Sequence, residues 1–247
     1  MSEIKDSFQV READLTGDVY LRNYMIKVYN YMTTGLLVTA FFGWLIANIP
    51  QIQQLFFQVV ATEQGSYLGL TILGWIAVFA PLVLVLIINP VLARGNVQGG
   101  FALFMLFSAL MGLSIANVLF TYTGDSITRI FVVTAAMFAA TSFYGSVTKK
   151  DLTSLGSFLF MGLIGVIIAM VVNAFLQSPA LYYAYTIIGV FIFIGLTAYD
   201  TQKIKAYYSS MDSTAIMQAK AINGALSLYL DFINLFLMLL SLFGDRK

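Results

Sequence analysis

The stretch Ala221-Ile-Asn-Gly-Ala-Leu-Ser-Leu-Tyr-Leu-Asp-Phe-Ile-Asn-Leu-Phe-Leu-Met-Leu-Leu-Ser-Leu-Phe243 decides the fold. It holds one charge, Asp231, in a run long enough at about 1.5 Å rise per residue to cross about 30 Å of hydrocarbon. Six similar runs precede it: Val28 to Ile49, Tyr67 to Ile88, Gly100 to Phe120, Thr128 to Val147, Leu155 to Leu176, and Leu181 to Tyr199. Lipid offers no partner for free backbone groups, and the period-two alternation of barrel strands is absent, so every run is expected to be a helix. The expectation is an all-α membrane protein of seven transmembrane helices. A polar cytoplasmic N-terminal tail, residues 1–27, precedes a membrane domain, residues 28–247, with short connections and no convincing internal repeat.

Composition supports this class and excludes others. Of 247 residues, 60% are hydrophobic and 10% charged, against roughly 25% charged in soluble domains. The net charge of +1 offers no basic face for nucleic acid. Without cysteine or histidine, the chain has no disulfide, no zinc site of the usual type, no Ser-His triad and no histidine pH switch. No cofactor motif stands out, and no phosphate-binding GxxxxGK[ST] loop is present. Proton-linked chemistry near neutral pH must therefore rest on carboxylates. The first residues lack the apolar core and cleavage site of a signal peptide, leaving the first span as an uncleaved insertion signal.

Orientation follows the basic residues. With the N-terminus cytoplasmic, one side holds Lys5, Arg11, Arg22, Lys27, Arg94, Lys149, Lys150, Lys203, Lys205 and Lys220, and the other holds Arg129, Arg246 and Lys247. The basic C-terminal tail runs against the rule and leaves open whether the last segment crosses fully. Ser108, Gly112 and Ala116, and likewise Ala135 and Ala139, form four-residue small-residue spacings suited to close helix approach. Pro81 and Pro90 are expected to kink or end the second helix.

A charge inside a span costs several kcal/mol and marks a site by default. Asp231 lies mid-span, with Ser227 and Asn234 about one turn away on nearly the same face. Asp200, in Thr197-Ala-Tyr-Asp-Thr-Gln-Lys203, is its natural partner, with Tyr199 beside it. Alternatively, Asp231 is interhelical glue and Asp200 an interfacial charge beside Lys203. Two carboxyls in one site could share a proton, separate on ionisation, and present hard oxygen ligands to calcium. The drawn spans put the two about ten ångströms or more apart in depth, so pairing needs span six to run past Asp200 or span seven to begin deeper. Arg94 could pair with Asp200 to close the cytoplasmic mouth, or simply anchor the loop. In Thr148-Lys-Lys-Asp-Leu-Thr-Ser-Leu-Gly156, Asp151 or Thr153 can cap the fifth span.

Three stretches carry a family resemblance: Thr148-Lys-Lys-Asp-Leu-Thr-Ser-Leu-Gly-Ser157, Gly195-Leu-Thr-Ala-Tyr-Asp-Thr-Gln-Lys-Ile204 and Ala225-Leu-Ser-Leu-Tyr-Leu-Asp-Phe-Ile-Asn-Leu-Phe236. From about Asp18 onwards the chain resembles the Bax inhibitor-1 (transmembrane Bax-inhibitor motif) family, in particular its bacterial branch. The resemblance implies a last helix wrapped by the other six. It also implies a pH-sensitive calcium leak through a carboxylate pair matching Asp200 and Asp231, and an arginine latch matching Arg94.

The leading expectation is a proton-gated cation pathway in a bacterial inner membrane, not an enzyme, with lipid, calcium and protons as partners. The alternative is an interaction protein that modulates a membrane-bound protease or a stress or cell-death response, using the N-terminal tail Met1 to Thr16 or a helix surface. An intramembrane aspartyl protease fits less well, because Asp231 follows Leu228-Tyr-Leu rather than Gly-x-Gly, and no Pro-Ala-Leu segment occurs. A retinal receptor would need a mid-span lysine in the last helix, whereas Lys220 lies at its edge.

Overall fold

A computed structural model describes the backbone of residues 2–62 and 65–247 and the side chains of residues 19–59 and 69–247. In chain order the elements are α1 (Ser2–Asn48), α2 (Pro50–Phe56), β1 (Phe57–Thr62), β2 (Gly65–Leu70), α3 (Ile72–Ala93), α4 (Val97–Thr121), α5 (Gly124–Val147), α6 (Thr153–Leu176), α7 (Pro179–Ala206) and α8 (Thr214–Phe243). Seven helices are long and apolar enough to span: Val19–Asn48 of α1, and α3 to α8. The entry end, where α4, α6 and α8 begin, alternates with the opposite end, where α3, α5 and α7 begin.

The class matches the expectation from sequence, but several boundaries move. The second span shifts five residues along the chain, from Tyr67–Ile88 to Ile72–Ala93, because β1 and β2 pair as an antiparallel hairpin from Phe57↔Leu70 to Thr62↔Gly65. Thr71 then caps α3, its hydroxyl accepting from the Gly74 amide at 3.1 Å. Pro90 does not end α3, which continues to Ala93; Pro81 also lies inside it. α1 already runs through the segment expected as tail, and Tyr24 within it is buried at 1% exposure, so the helix enters the core before Val28. α7 runs to Ala206 rather than Tyr199, its start fixed by the Ser178 cap and by Pro179 in the first turn. α8 begins at Thr214, capped by the Ser213 hydroxyl.

α8 is the most buried helix. It packs against α1, α3, α4, α5 and α7, while α6 packs on α7. It crosses the whole bundle, and its tail is fastened at the opposite end. The Thr123 amide donates to Asp245 O at 3.0 Å, the Lys247 amide to Thr121 O at 2.9 Å, and Arg129 pairs with Asp245 at 2.8 Å. The basic tail thus belongs to a clasp over the α4–α5 turn, so it gives no sign of an incomplete crossing.

Small residues set the closest approaches. At Gly112 a Cβ would sit 2.4 Å from the Thr39 carbonyl oxygen, which explains why α1 and α4 pack so closely along Ser108, Gly112 and Ala116. The Ala135–Ala139 pair has no such role, since Ala139 is exposed. On α5 the tight point is Gly145, where a Cβ would lie 2.2 Å from Ala198 O on α7.

Two buried hydroxyl relays fix the helices in register. Thr201 donates to Thr197 O at 2.7 Å, so Ser142 must donate to Thr201 (2.9 Å) and Tyr29 to Ser142 (2.6 Å), which joins α1, α5 and α7. Thr39 spends its proton on the Gly35 and Ser108 carbonyls at 3.0 and 2.8 Å, so Tyr229 donates to Thr39 at 2.6 Å and ties α8 to α1. Tyr229→Phe is expected to lower the stability of the folded bundle by about 0.6–1 kcal/mol in reversible unfolding from lipid-detergent micelles. No measurable loss would mean the hydroxyl finds equal company in the unfolded membrane state.

Candidate functional site

Three helices enclose a cavity of about 650 Å³, with walls from α6 (Gly156 to Met170), α7 (Phe193 to Lys203) and α8 (Ser227 to Met238). Asp200, Asp231, Ser227, Asn234 and Tyr199 all line it, so every polar residue singled out on the last two spans reaches one space. Asp231 is 5% exposed, and its Oδ2 is buried with no hydrogen-bond partner among the described residues. Asn234 donates from Nδ2 to Leu230 O at 2.8 Å, which leaves its Oδ1 as a free acceptor. An unpartnered buried carboxylate oxygen is costly, and it needs a proton, a donor or a cation beside it.

The depth mismatch expected between the two aspartates is resolved by helix register. Gly224 of α8 packs on Ile204 of α7, where a Cβ would lie 3.1 Å from the isoleucine side chain. Counted inward from that contact, Asp200 is four residues deeper and Asp231 seven, or about 6 and about 10.5 Å along their helices. The difference is about 4–5 Å rather than ten or more. It shrinks because α7 continues past Asp200, a turn and a half that hydropathy hides among Lys203 and Lys205.

Arg94 is not brought to Asp200. It caps the C-terminus of α3, exposed, and lines neither cavity that Asp200 borders. The cation nearest the site is Lys203, which shares both cavities with Asp200 and stands over the Tyr199 and Tyr207 rings at 5.6 and 5.8 Å. Asp200, Lys203 and Ser227 divide the main cavity from a second one of about 350 Å³ towards the entry end. That vestibule also holds Asn89, Asn223 and Lys220, and Lys220 pairs with Asp212 at 2.6 Å across the α7–α8 loop. Among the described residues no group of three or more acidic side chains could hold a metal on its own. The side chains of the tail Met1 to Thr16 lie outside the described residues.

Gln202 escaped the sequence reading, although it stands inside one of the three distinctive stretches. Its Oε1 accepts from the Leu152 amide and its Nε2 donates to Lys150 O, both at 2.8 Å, so α7 holds the α5–α6 loop. Nearby, a Cβ at Gly156 would lie 2.5 Å from the Tyr199 ring, so this glycine lets the ring settle against α6. The α6 cap is also more local than expected. Leu152 occupies the cap position, and Asp151 Oδ1 accepts from the Thr153 amide at 2.8 Å. Hydrogen bonding from Thr153, the side chain first and the backbone amide second, holds the exposed Asp151 carboxyl below its ordinary range. The turn's stabilisation is therefore present at neutral pH and is lost as pH falls through the lowered value.

The fold and this site define a multi-pass helical membrane protein whose sixth and seventh spans carry carboxylates into one cavity. The family model described as "Inhibitor of apoptosis-promoting Bax1" matches residues 21–247, and the chain belongs to this Bax inhibitor-1 family. It is similar to the inner membrane protein YbhL of Escherichia coli K12, 46% identical over 92% of this chain and 93% of that protein. It is also similar to a Caulobacter vibrioides protein (43%, covering 98% of this chain and 96% of that one) and to a Rickettsia prowazekii protein (43%, covering 94% and 93%).

Proposed function

We propose that this chain is a pH-sensitive cation leak, with calcium as the ion and Asp200 and Asp231 as its gate. The observation that carries the reading is the unpartnered, buried Asp231 Oδ2 facing a cavity that Asp200 also lines. With Ser227 and the Asn234 carbonyl these carboxylates offer hard oxygen donors of the kind calcium takes. A shared proton draws Asp200 and Asp231 together and holds α8 in place; its loss leaves two like charges that loosen the helix. The divide formed by Asp200, Lys203 and Ser227 is where such loosening would join the cavity to the vestibule. Arg94 keeps a part in this reading only if α3 moves. The reading assigns no enzymatic step. YbhL is named an inner membrane protein, and we place this chain in the same kind of bacterial membrane with its N-terminus cytoplasmic.

The test is calcium entry into dye-loaded liposomes from about pH 5 to about pH 8, compared with empty vesicles. Entry that rises with pH above the empty-vesicle level is expected. Flux equal to that of empty vesicles with folded protein would remove the leak. It would favour the second reading, a membrane interaction protein acting on a protease or a cell-death response, which draws on the printed family description.

A further inference from the structure

The cavity around Asp231 is amphipathic, and it opens sideways. Phe160, Ile167 and Met170 of α6 line it and are also 59%, 51% and 44% exposed, on a helix whose outer face is otherwise apolar. In a bilayer those side chains meet acyl chains, so the opening between α6 and α8 gives onto lipid rather than water. Its lining runs from Gly156 to Met170, about 21 Å along α6. The polar groups gather towards the entry end, while Val166, Ile167, Met170 and Met238 close the other end in hydrocarbon.

The charges also balance in a particular way. Two carboxylates, Asp200 and Asp231, face one ammonium, Lys203, so the ionised site is short of one positive charge. Three acceptors are available to a newcomer: Asp231 Oδ2, the Asp200 carboxylate and Asn234 Oδ1. A primary ammonium carries three donors, and an apolar tail would occupy the slot below it.

We infer that this cavity binds a long-chain primary amine that enters from the bilayer, with its ammonium on Asp231 and its alkyl chain along α6. Such a ligand neutralises the buried carboxylate without a proton and would compete with any ion that uses the same oxygens. The inference rests on the geometry of the carboxylate cavity and does not require that calcium pass through it.

The experiment uses the full chain in lipid nanodiscs without calcium. A diazirine-bearing octadecylamine is photolysed, and the labelled peptides are mapped by mass spectrometry. The matching diazirine octadecanol serves as the uncharged probe. Amine labelling is expected between Phe160 and Met170 and to be competed by plain octadecylamine. It should fall about tenfold or more in Asp231→Asn, as loss of a charge-assisted contact predicts, while alcohol labelling stays unchanged. Leu163→Trp, which fills the slot and leaves the carboxylates, should reduce labelling by both probes. Equal labelling by amine and alcohol, or amine labelling unchanged in a folded Asp231→Asn, overturns the site. Lost calcium flux with labelling intact would fail the leak alone, and flux without labelling would fail the amine site alone.

Discussion

Gly145→Leu is expected to lose about 3 kcal/mol or more of stability and to leave little folded protein in the membrane. The added Cβ would meet three backbone atoms of Ala198, the oxygen at 2.2 Å and the carbonyl and α carbons at 2.9 Å. Backbone cannot swing aside as a side chain can, so α5 and α7 must separate. Their separation breaks the Ser142–Thr201 hydrogen bond and displaces Asp200, two residues beyond Ala198. Helix propensity pulls the other way, since leucine is preferred to glycine by about 1 kcal/mol, but the steric term is larger. Gly165→Leu isolates that term, because a Cβ at Gly165 meets nothing within 4 Å. Reversible unfolding in lipid-detergent micelles should find Gly165→Leu within about 0.5 kcal/mol of the parent or slightly above it. A Gly145→Leu protein equally close to the parent would mean that α5 and α7 do not cross at this glycine.

The contrast between these two glycines shows where sequence reading stops. Hydropathy located all seven spans because each apolar run is about as long as the bilayer requires, and that signal depends on no neighbour. The Ser108, Gly112 and Ala116 spacing was also legible, since it repeats on one face. Gly145 stands alone at the end of its helix, and only the position of Ala198 gives it meaning. The same holds for the ends of α7 and α8. Lys203, Lys205 and Lys220 lower local hydropathy, so the apolar run closes before the helix does, and Asp200 looks interfacial although it lines a cavity with Asp231. The hairpin of β1 and β2 was hidden for a related reason: Tyr67 to Leu70 carry no charge and run straight into the span, and strand pairing is a relation between segments. Asp231 needed no partner to be noticed, because a charge in the middle of a greasy helix stands out by itself. Arg94 was singled out by its place after the second span and again by the family resemblance, whereas the residue that shares both cavities with Asp200 is Lys203.

Under the proposed gate, Asp200→Asn and Asp231→Asn, which alter two residues of one cavity, are expected to have non-additive effects on calcium entry. A gate set by one shared proton responds by up to about tenfold per pH unit, since one unit corresponds to about 1.36 kcal/mol. Asparagine fills nearly the same volume as aspartate and cannot ionise in this range, so either single change removes one side of the shared proton. Each should flatten most of the rise in flux with pH, and the double variant should be little flatter than either one. Groups in contact depart from additivity by about 0.5–3 kcal/mol, whereas independent sites add within about 0.3–0.5 kcal/mol. Two separate titrations would instead give two partial losses that sum in the double variant. In that case Asp200 acts as a surface charge beside Lys203 and Asp231 as a lone buried acid. Retained flux and retained pH dependence in the double variant would take both aspartates out of the gate, leaving the 650 Å³ cavity as a lipid-facing pocket with no part in ion passage. The register of α7 and α8 favours the first outcome, because it brings Asp200 and Asp231 to within about 4–5 Å in depth on the wall of one cavity.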